Sequence, residues 1–296
     1  MPPSYSPHGK IHVTTPLAYT AFASDWVSPQ VVKRPNRQNE GVASRIVRRN
    51  RTIAVGALVV LVTILIVSLA SCGAGGSTKR SPLMPVGAPL PPYDPSLTDA
   101  SVRTVPLVTV VDEQWVADTA EKTGIPARVL AAYAGGAVRM ALTWPECGLT
   151  WNTLAGIGWV ESHHGELFGD YIDDNGFMSV PIFGVPLVGD GTMNIPDFDD
   201  GNFDGTAEYD RAVGPMQIIP QTWAAWNVDG NGDGNPDGQQ IDDSVVSSAN
   251  YLCFSAETMT TPDGWRKGLW GYNQLDSYAN DVRDKADEYA AAVGIR

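Results

Sequence analysis

The feature that most constrains the fold of this chain is an uncharged apolar run near its start. Residues 52–70 read TIAVGALVVLVTILIVSLA and contain no charged side chain. A run of about 20 such residues is long enough to cross the hydrocarbon core of a bilayer as one helix. We therefore predict a single transmembrane helix over residues 52–71.

Charge is divided at this run. Residues 1–51 hold eight Lys and Arg against two acids, a net charge of +6, whereas the remaining residues hold 12 against 31, a net charge of −19. By the positive-inside rule, the basic part faces the cytoplasm and the acidic body is exported. A cleaved secretory signal is one alternative, and a lipoprotein anchored at Cys72 of the lipobox-like LASC is another. An acidic body argues against nucleic acid as a partner.

The rest of the chain divides by composition. Residues 1–51 are polar and rich in Pro and Arg, which predicts a disordered cytoplasmic tail. Residues 72–106 are rich in Pro and Gly, which predicts an extended spacer. Residues 107–296 have helical periodicity with little strand alternation, so we predict a mainly α domain. Its predicted helices are Asp112 to Thr123, Pro126 to Leu142, Thr150 to His163, Pro220 to Asn227, Asp243 to Ala256, Trp265 to Tyr272 and Leu275 to Val293.

One long segment interrupts these helices. Residues 166–209 are rich in Asp, Gly, Asn and Pro, with an apolar patch at Val180 to Val188. Structureless segments of this length are uncommon in compact domains and are often functional. We interpret this insert as a lid or wall over a cleft.

Cysteine usage fits an exported domain. Cys147 and Cys253 are the two cysteines beyond the membrane edge. In an oxidising compartment a disulfide between them is the natural prediction. Two unrelated buried thiols are the alternative.

Glu161 falls where an apolar stripe should continue. On a helix it shares one sector with Leu154, Ile157 and Gly158. Burying a carboxylate costs several kcal/mol unless the group is paired or is kept protonated by a raised pKa. A carboxyl that stays protonated near neutral pH can act as a general acid. The alternative is a glutamate that reaches solvent from the end of its helix.

Three motifs follow one another in the chain. They are GWVESHHG, which contains Glu161 and Ser162, then RAVGPMQIIPQTW at Arg211–Trp223, then LWGYN at Leu269–Asn273. In this order they resemble the catalytic domain of lytic transglycosylases of the soluble and membrane-bound B types, over roughly residues 106–296. The resemblance implies a lysozyme-like fold.

The resemblance also implies site residues. Glu161 matches the family's sole catalytic acid and base. Five further residues match positions expected to bind the substrate or border it: Ser162, Met216, Gln217, Tyr272 and Asn273. Tyr272 is expected to hydrogen-bond to Glu161 or to the substrate, with a half-buried structural tyrosine as the alternative.

The implied reaction cleaves the β-1,4 bond between N-acetylmuramic acid and N-acetylglucosamine in peptidoglycan and closes a 1,6-anhydro ring without water. One carboxyl suffices, whereas most glycoside hydrolases use two. The sequence leaves a second acid open among Asp170, Asp173, Asp174 and Asp210. The alternatives are a lysozyme-like hydrolase that uses Glu161 and water, and a non-catalytic wall-binding module stabilised by calcium.

The stretch DGNGDGNPD predicts a calcium loop. Oxygen-bearing side chains occupy positions 1, 3, 5, 7 and 9 of an EF-hand pattern: Asp229, Asn231, Asp233, Asn235 and Asp237. Position 12 is Gln240 instead of a carboxylate, although Asp242 or Asp243 follows closely. Some members of the resembled family bind calcium in such a loop, and a solvated acidic turn is the alternative. The run DFDDGNFDG, residues 197–205, is a weaker candidate of the same kind.

Overall fold

The computed structural model describes residues 84–189 and 192–296. The predicted tail, the predicted transmembrane helix and residues 72–83 of the predicted spacer lie outside these residues. The helices of the described part are α1 (Asp99–Val102), α2 (Glu113–Thr123), α3 (Ala127–Thr143), α4 (Trp151–Ser162), α5 (Pro220–Trp226), α6 (Ile241–Ala256), α7 (Pro262–Tyr272) and α8 (Asp276–Ala292). Extended segments in this part meet only in isolated bridges, so the mainly α prediction is confirmed. None of these helices is long and apolar enough to span a membrane.

Five of the seven predicted helices agree with the structure to within one residue at each end, and two begin earlier than predicted. Helix α6 was predicted to begin with Asp243 as its cap, but it begins at Ile241 because Gln240 is the capping residue and accepts a hydrogen bond from the Asp243 amide. Helix α7 begins at Pro262 because Thr261 caps it and proline suits the first helical position. Both errors come from caps that the apolar period does not indicate.

Helix α4 lies at the centre of the fold and is buried on nearly every side. Residues 151–158 are all buried, and the helix packs mainly on α8 and also on α3. A Cβ atom on Gly156 would lie 2.6 Å from the Val282 carbonyl oxygen, and one on Gly158 would lie 1.9 Å from the Tyr133 hydroxyl. These distances exclude any side chain, so the two glycines allow α8 and α3 to approach the helix that ends with Glu161.

The chain leaves α4 through two residues with left-handed backbone, His163 and His164. His164 is buried, and its ring bonds to the hydroxyls of Tyr133 at 3.0 Å and Tyr289 at 2.7 Å. Burial, and to a lesser extent nearby His163 and Lys285, lowers the pKa of His164 to about 3. A neutral His164 therefore ties the end of α4 to α3 and α8.

The predicted spacer requires a correction, because residues 84–106 pack on the helical body. Ala88 is buried, and its amide donates to Asn152 Oδ1 at 3.0 Å. Asn152 Nδ2 donates to the carbonyls of Val86 and Ala286. Proline and glycine in this stretch suggested an extended linker, but the segment lies along α4 and α8 and exchanges hydrogen bonds with both.

The predicted disulfide between Cys147 and Cys253 is present. It joins the residues before α4 to the end of α6, and both cysteines are fully buried. The bridge therefore closes a loop that includes α4, the insert and α5.

Removal of this disulfide should destabilise the domain. With 106 residues of sequence separation, we expect a Cys147→Ala/Cys253→Ala variant to lose about 2–5 kcal/mol of unfolding free energy, because the unfolded chain is no longer constrained. Denaturant unfolding of the full chain measures the change. Cys72→Ser is the control, since it removes a thiol outside the pair, and it should leave stability unchanged. Equal stability of the double variant and the wild type would contradict the prediction.

Candidate active site

A cleft of about 530 Å³ opens beside the end of α4. Four of the predicted site residues line it: Glu161, Gln217, Tyr272 and Asn273. The other lining residues were not predicted from the sequence: Leu187, Thr192, Met193, Ala212, Ile219, Gln274 and Leu275. The structure thus brings α4, the insert, the residues before α5 and the end of α7 together around one carboxyl group.

The environment of Glu161 is suited to proton transfer. The residue is half-buried, because its side chain reaches the cleft while the surrounding atoms remove most of its hydration. Burial raises the pKa of Glu161 from 4.5 to about 7, and a hydrogen bond from Tyr278 partly opposes this rise. Near neutral pH, both the acid and the carboxylate forms are therefore populated.

Tyr278, on α8, is the hydrogen-bond partner of Glu161. Its hydroxyl donates to Glu161 Oε1 at 2.6 Å. Burial, and then the charge of Glu161, raises the pKa of Tyr278 well above 10, so the hydroxyl keeps its proton. This residue was not predicted from the sequence. A single tyrosine on the buried face of a predicted helix gives no signal that separates it from the core.

The predicted hydrogen bond between Tyr272 and Glu161 is not formed, because the Tyr272 hydroxyl has other partners. The Tyr272 hydroxyl donates to the Met216 carbonyl at 2.6 Å and lies 2.9 Å from Ser248 Oγ. Its ring stacks on that of Tyr278, with centroids 6.4 Å apart and planes at 7°. Tyr272 lines the cleft with its ring while its hydroxyl holds the neighbouring turn.

Ser162 and Met216, predicted to bind or border the substrate, are fully buried and do not line the cleft. Ser162 Oγ donates to the Pro215 carbonyl at 2.7 Å and accepts from the Gly165 amide at 2.9 Å. These two residues instead connect the three motifs. Ser162 bonds to the GPMQ turn, and the carbonyl of Met216 accepts the bond from Tyr272.

The GPMQ turn holds Gln217 in an uncommon backbone conformation. Gln217 has φ of +48°, and its Nε2 donates to the Gly214 carbonyl at 2.9 Å. Gly214 has φ of +73°, and a Cβ there would lie 1.8 Å from the Gly238 carbonyl oxygen. Strained backbone of this kind persists where the surroundings enforce it and is concentrated at functional sites. The turn places the amide side chain at the cleft.

None of the acids proposed as a second catalytic carboxyl lines the cleft. Among its described lining residues, Glu161 is the sole acid. Asp173 accepts a bond from the Phe177 amide, and Asp210 is buried directly after the insert. The arrangement therefore provides one carboxyl instead of the pair that most glycoside hydrolases use.

The insert forms one wall of the cleft, as its interpretation as a lid or wall predicts. Leu187, Thr192 and Met193 line the cleft from this side. Backbone hydrogen bonds of 3.0 and 2.8 Å run from Leu187 to Asp210 and from Gly184 to Ala212. These bonds connect the wall to the residues that lead into the GPMQ turn.

The predicted calcium loop is organised by two aspartates. Asp229 accepts bonds from the amides of Gly232 and Gly234 at 2.6 and 2.7 Å. Asp243 accepts bonds from the amides of Gly230, Asn231 and Asp237. Burial raises the pKa of Asp243 to about 6, and the charge of Asp229 contributes to the rise.

Of the two acids that could complete the loop, Asp243 faces it. Asp242 is instead paired with Arg128, whose Nη1 and Nη2 donate to it at 2.9 and 2.5 Å. All four carboxylate oxygens of Asp229 and Asp243 thus accept backbone amides, and no three acids of this loop lie close enough together in the described structure to hold a metal ion. Calcium binding by the loop stays a prediction.

Comparison with known families agrees with this site in part. Residues 204–288 match the family model of the transglycosylase SLT domain. The match includes Gln217, Tyr272, Asn273 and Tyr278, whereas Glu161 precedes it. No curated protein and no solved structure matches the chain. Most of the cleft thus comes from a segment similar to SLT transglycosylases, a class associated with peptidoglycan, and the more specific type B assignment stays a prediction.

The Tyr278 hydrogen bond should set the pKa of Glu161. This bond stabilises the ionised carboxylate, so Tyr278→Phe should raise the pKa above its value of about 7. A pH titration of ¹³C-labelled glutamate carboxyls measures the change, with the Glu161 signal identified by its loss in Glu161→Gln. Tyr171→Phe is the control, because Tyr171 is exposed and lies outside the cleft. An unchanged or lower pKa in Tyr278→Phe would rule out this role.

Proposed function

We propose that this protein is a lytic transglycosylase that cleaves the bond between N-acetylmuramic acid and N-acetylglucosamine in peptidoglycan. The observation that carries the proposal is the single cleft carboxyl, Glu161, whose pKa is about 7. The match of residues 204–288 to SLT transglycosylases supports the substrate class. Gln217, Tyr272 and Asn273 come from that segment and line the same cleft.

In the first step Glu161 acts as an acid. Its protonated form donates a proton to the glycosidic oxygen, and the bond from this oxygen to C1 of the muramic residue breaks. The positive charge that develops at C1 is stabilised by the substrate's acetamido group and by the polar side chain of Gln217. Tyr278, which donates to Oε1, stabilises the carboxylate that results.

In the second step the same residue acts as a base. The Glu161 carboxylate takes the proton of the muramic C6 hydroxyl, and the C6 oxygen forms a bond to C1. This closes the 1,6-anhydro ring and returns Glu161 to its protonated form, so no water is consumed. A pKa near 7 suits both steps, because neither protonation state is strongly disfavoured at neutral pH.

We also propose that the domain acts outside the cytoplasm, tethered by the predicted helix at 52–71 or by a lipid on Cys72. The disulfide between Cys147 and Cys253 supports an oxidising compartment. Peptidoglycan lies on that side of the membrane, so the proposed location and the proposed substrate agree.

We propose a structural calcium ion in the loop of residues 229–237. Asp229, Asn231, Asp233, Asn235 and Asp237 would hold it together with Asp243. Bound there, calcium supplies positive charge to the acidic loop and takes no part in the reaction. Asp243 lies in the first turn of α6. The ion would therefore stabilise the junction between the loop and that helix.

Glu161→Gln should abolish lysis. Glutamine keeps an acceptor for Tyr278 but cannot transfer a proton, so we expect lytic rates on purified peptidoglycan to fall at least about 100-fold. The variant should melt at or above the wild-type temperature at pH 8, because ionised Glu161 destabilises the fold increasingly from pH 4.5 to about 7. Undiminished lysis would exclude Glu161 as the catalytic acid.

The product distinguishes the transglycosylase from the hydrolase. Mass spectrometry of muropeptides released by the wild-type chain should find 1,6-anhydro ends, which are 18 Da lighter than reducing ends because no water is added. Reducing ends alone would favour a lysozyme-like hydrolase with the same Glu161. Release of no muropeptides by the wild type would instead favour a binding module.

The calcium loop can be tested by thermal melts of the full chain with calcium and with a chelator. We expect calcium to raise the melting temperature, since a ligand that binds only the folded state stabilises it. Asp229→Asn should reduce this shift, whereas the exposed control Asp263→Asn should preserve it. An undiminished shift in Asp229→Asn would contradict calcium binding by this loop.

A further inference from the structure

A second group of acidic side chains lies in the insert and at Asp210, the residue that follows it. One carboxylate oxygen from each of Asp197, Asp199 and Asp210 lies within 4.8 Å of the others. Among the described residues this is the one group of three or more such side chains that could hold a metal ion. Asp197 and Asp199 belong to one turn, and Asp210 approaches them through the pairing of Pro196 with Tyr209.

Two oxygens in this group are buried without a hydrogen-bond partner, which acidic surface clusters ordinarily do not show. Asp210 is 0% exposed, and its Oδ2 has no partner, although its Oδ1 accepts from the Phe198 amide at 2.9 Å. Asp199 Oδ1 is also shielded from solvent and unpartnered, while its Oδ2 accepts from the Phe203 amide. A buried carboxylate oxygen without a donor is costly, so a cation at this position would stabilise it.

The negative charge of this group is not neutralised within the described part of the chain. No ion pair there includes any of the three aspartates. Arg211 is the adjacent cation, but its guanidinium donates to the Asp204 carbonyl and lies over the Phe183 ring, 4.7 Å from the centroid. The buried charge therefore calls for a cation from solution.

We propose that Asp197, Asp199 and Asp210 bind a calcium ion, at a site separate from the loop of residues 229–237. Carboxylate oxygens select hard cations, and calcium accepts irregular sets of them at about 2.4 Å. Two oxygens that share one calcium ion can thus be up to about 4.8 Å apart. The three oxygens lie within 4.8 Å of one another, so all of them can contact the same ion.

The site lies beneath the cleft wall. The Asp210 carbonyl accepts from the Leu187 amide, and the Asp210 amide donates to the Ile195 carbonyl. Leu187 itself lines the cleft. A calcium ion on Asp210 would join the turn at residues 197–203 to the backbone that carries this wall.

The experiment is a measurement of calcium stoichiometry on the full chain in detergent, stripped with chelator and then equilibrated with calcium. Equilibrium dialysis followed by elemental analysis counts the ions per chain. We expect Asp199→Asn/Asp210→Asn to bind one ion fewer than the wild type, whatever the loop of residues 229–237 contributes. Asn keeps the acceptors for Phe198 and Phe203, so the fold should be preserved, and near-UV circular dichroism checks this.

The matched control is Asp200→Asn. It removes the same charge from the same turn, but Asp200 is exposed and outside the group. It should bind as many ions as the wild type. Equal stoichiometry in the wild type and the double variant, or no calcium on the wild type, overturns the proposal, as does an equal loss in the control.

Single substitutions give a second measure that does not require the double variant to fold. Asp199→Asn alone should weaken this site about tenfold, because affinity follows the number of charged ligands. Asp210→Asn should melt no lower than the wild type in chelator, since it removes a buried unpaired charge, yet should gain less from calcium. A calcium-induced shift equal to that of the wild type in both variants would overturn the proposal. Lytic activity enters none of these measurements, so they stand apart from the proposed function.

Discussion

The site depends on one constraint: the carboxyl group of Glu161 lies at the end of α4, a helix that is buried on nearly every side. Helix α4 can occupy this place because Gly156 and Gly158 leave room for α8 and α3. The same packing removes water from Glu161 and raises its pKa to about 7. His164 then fixes the exit of the helix by bonding to a tyrosine on each neighbour. Proton-transfer chemistry at this group thus follows from how the core is packed.

The three sequence motifs have different physical roles in this arrangement. Glu161, Gln217 and Asn273 reach the cleft, whereas Ser162 and Met216 lie beneath it. Hydrogen bonds from Ser162 to Pro215 and from Tyr272 to Met216 join the motifs to one another. Residues that identify a family from sequence can therefore maintain the relative position of the groups that meet the substrate, without touching it.

Helix positions could be predicted well from the sequence, and the exceptions have physical causes. The apolar period indicates most helices, and the Asp112 cap also marks the start of α2, because both signals are local. Gln240 at the start of α6 is an uncommon cap, and residues 84–106 fold back through contacts with residues distant in sequence, such as Asn152. The local composition of the sequence indicates neither an uncommon cap nor a contact between residues that are distant in the chain.

Site residues that belong to the motifs could be predicted from the sequence. A hydrogen-bond partner that reaches the site only through helix packing could not. Glu161 stood out because an acid interrupts an apolar stripe. Tyr278 could not be distinguished from other buried tyrosines, and only the crossing of α8 over α4 brings it to within 2.6 Å of Glu161. The insert was predicted to border a cleft, but its individual lining residues could not be predicted because the segment has no regular apolar period.

The disulfide between Cys147 and Cys253 closes a covalent ring, and only some of the groups at the cleft lie within that ring. The acid and Gln217 belong to this macrocycle, whereas Tyr272 and Tyr278 belong to a C-terminal arm that continues from Cys253 and packs on the ring through non-covalent contacts. Detachment of that arm would leave the ring closed while exposing Glu161 to water. The acid strength of the group therefore depends on a non-covalent interface, the packing of α8 on α4.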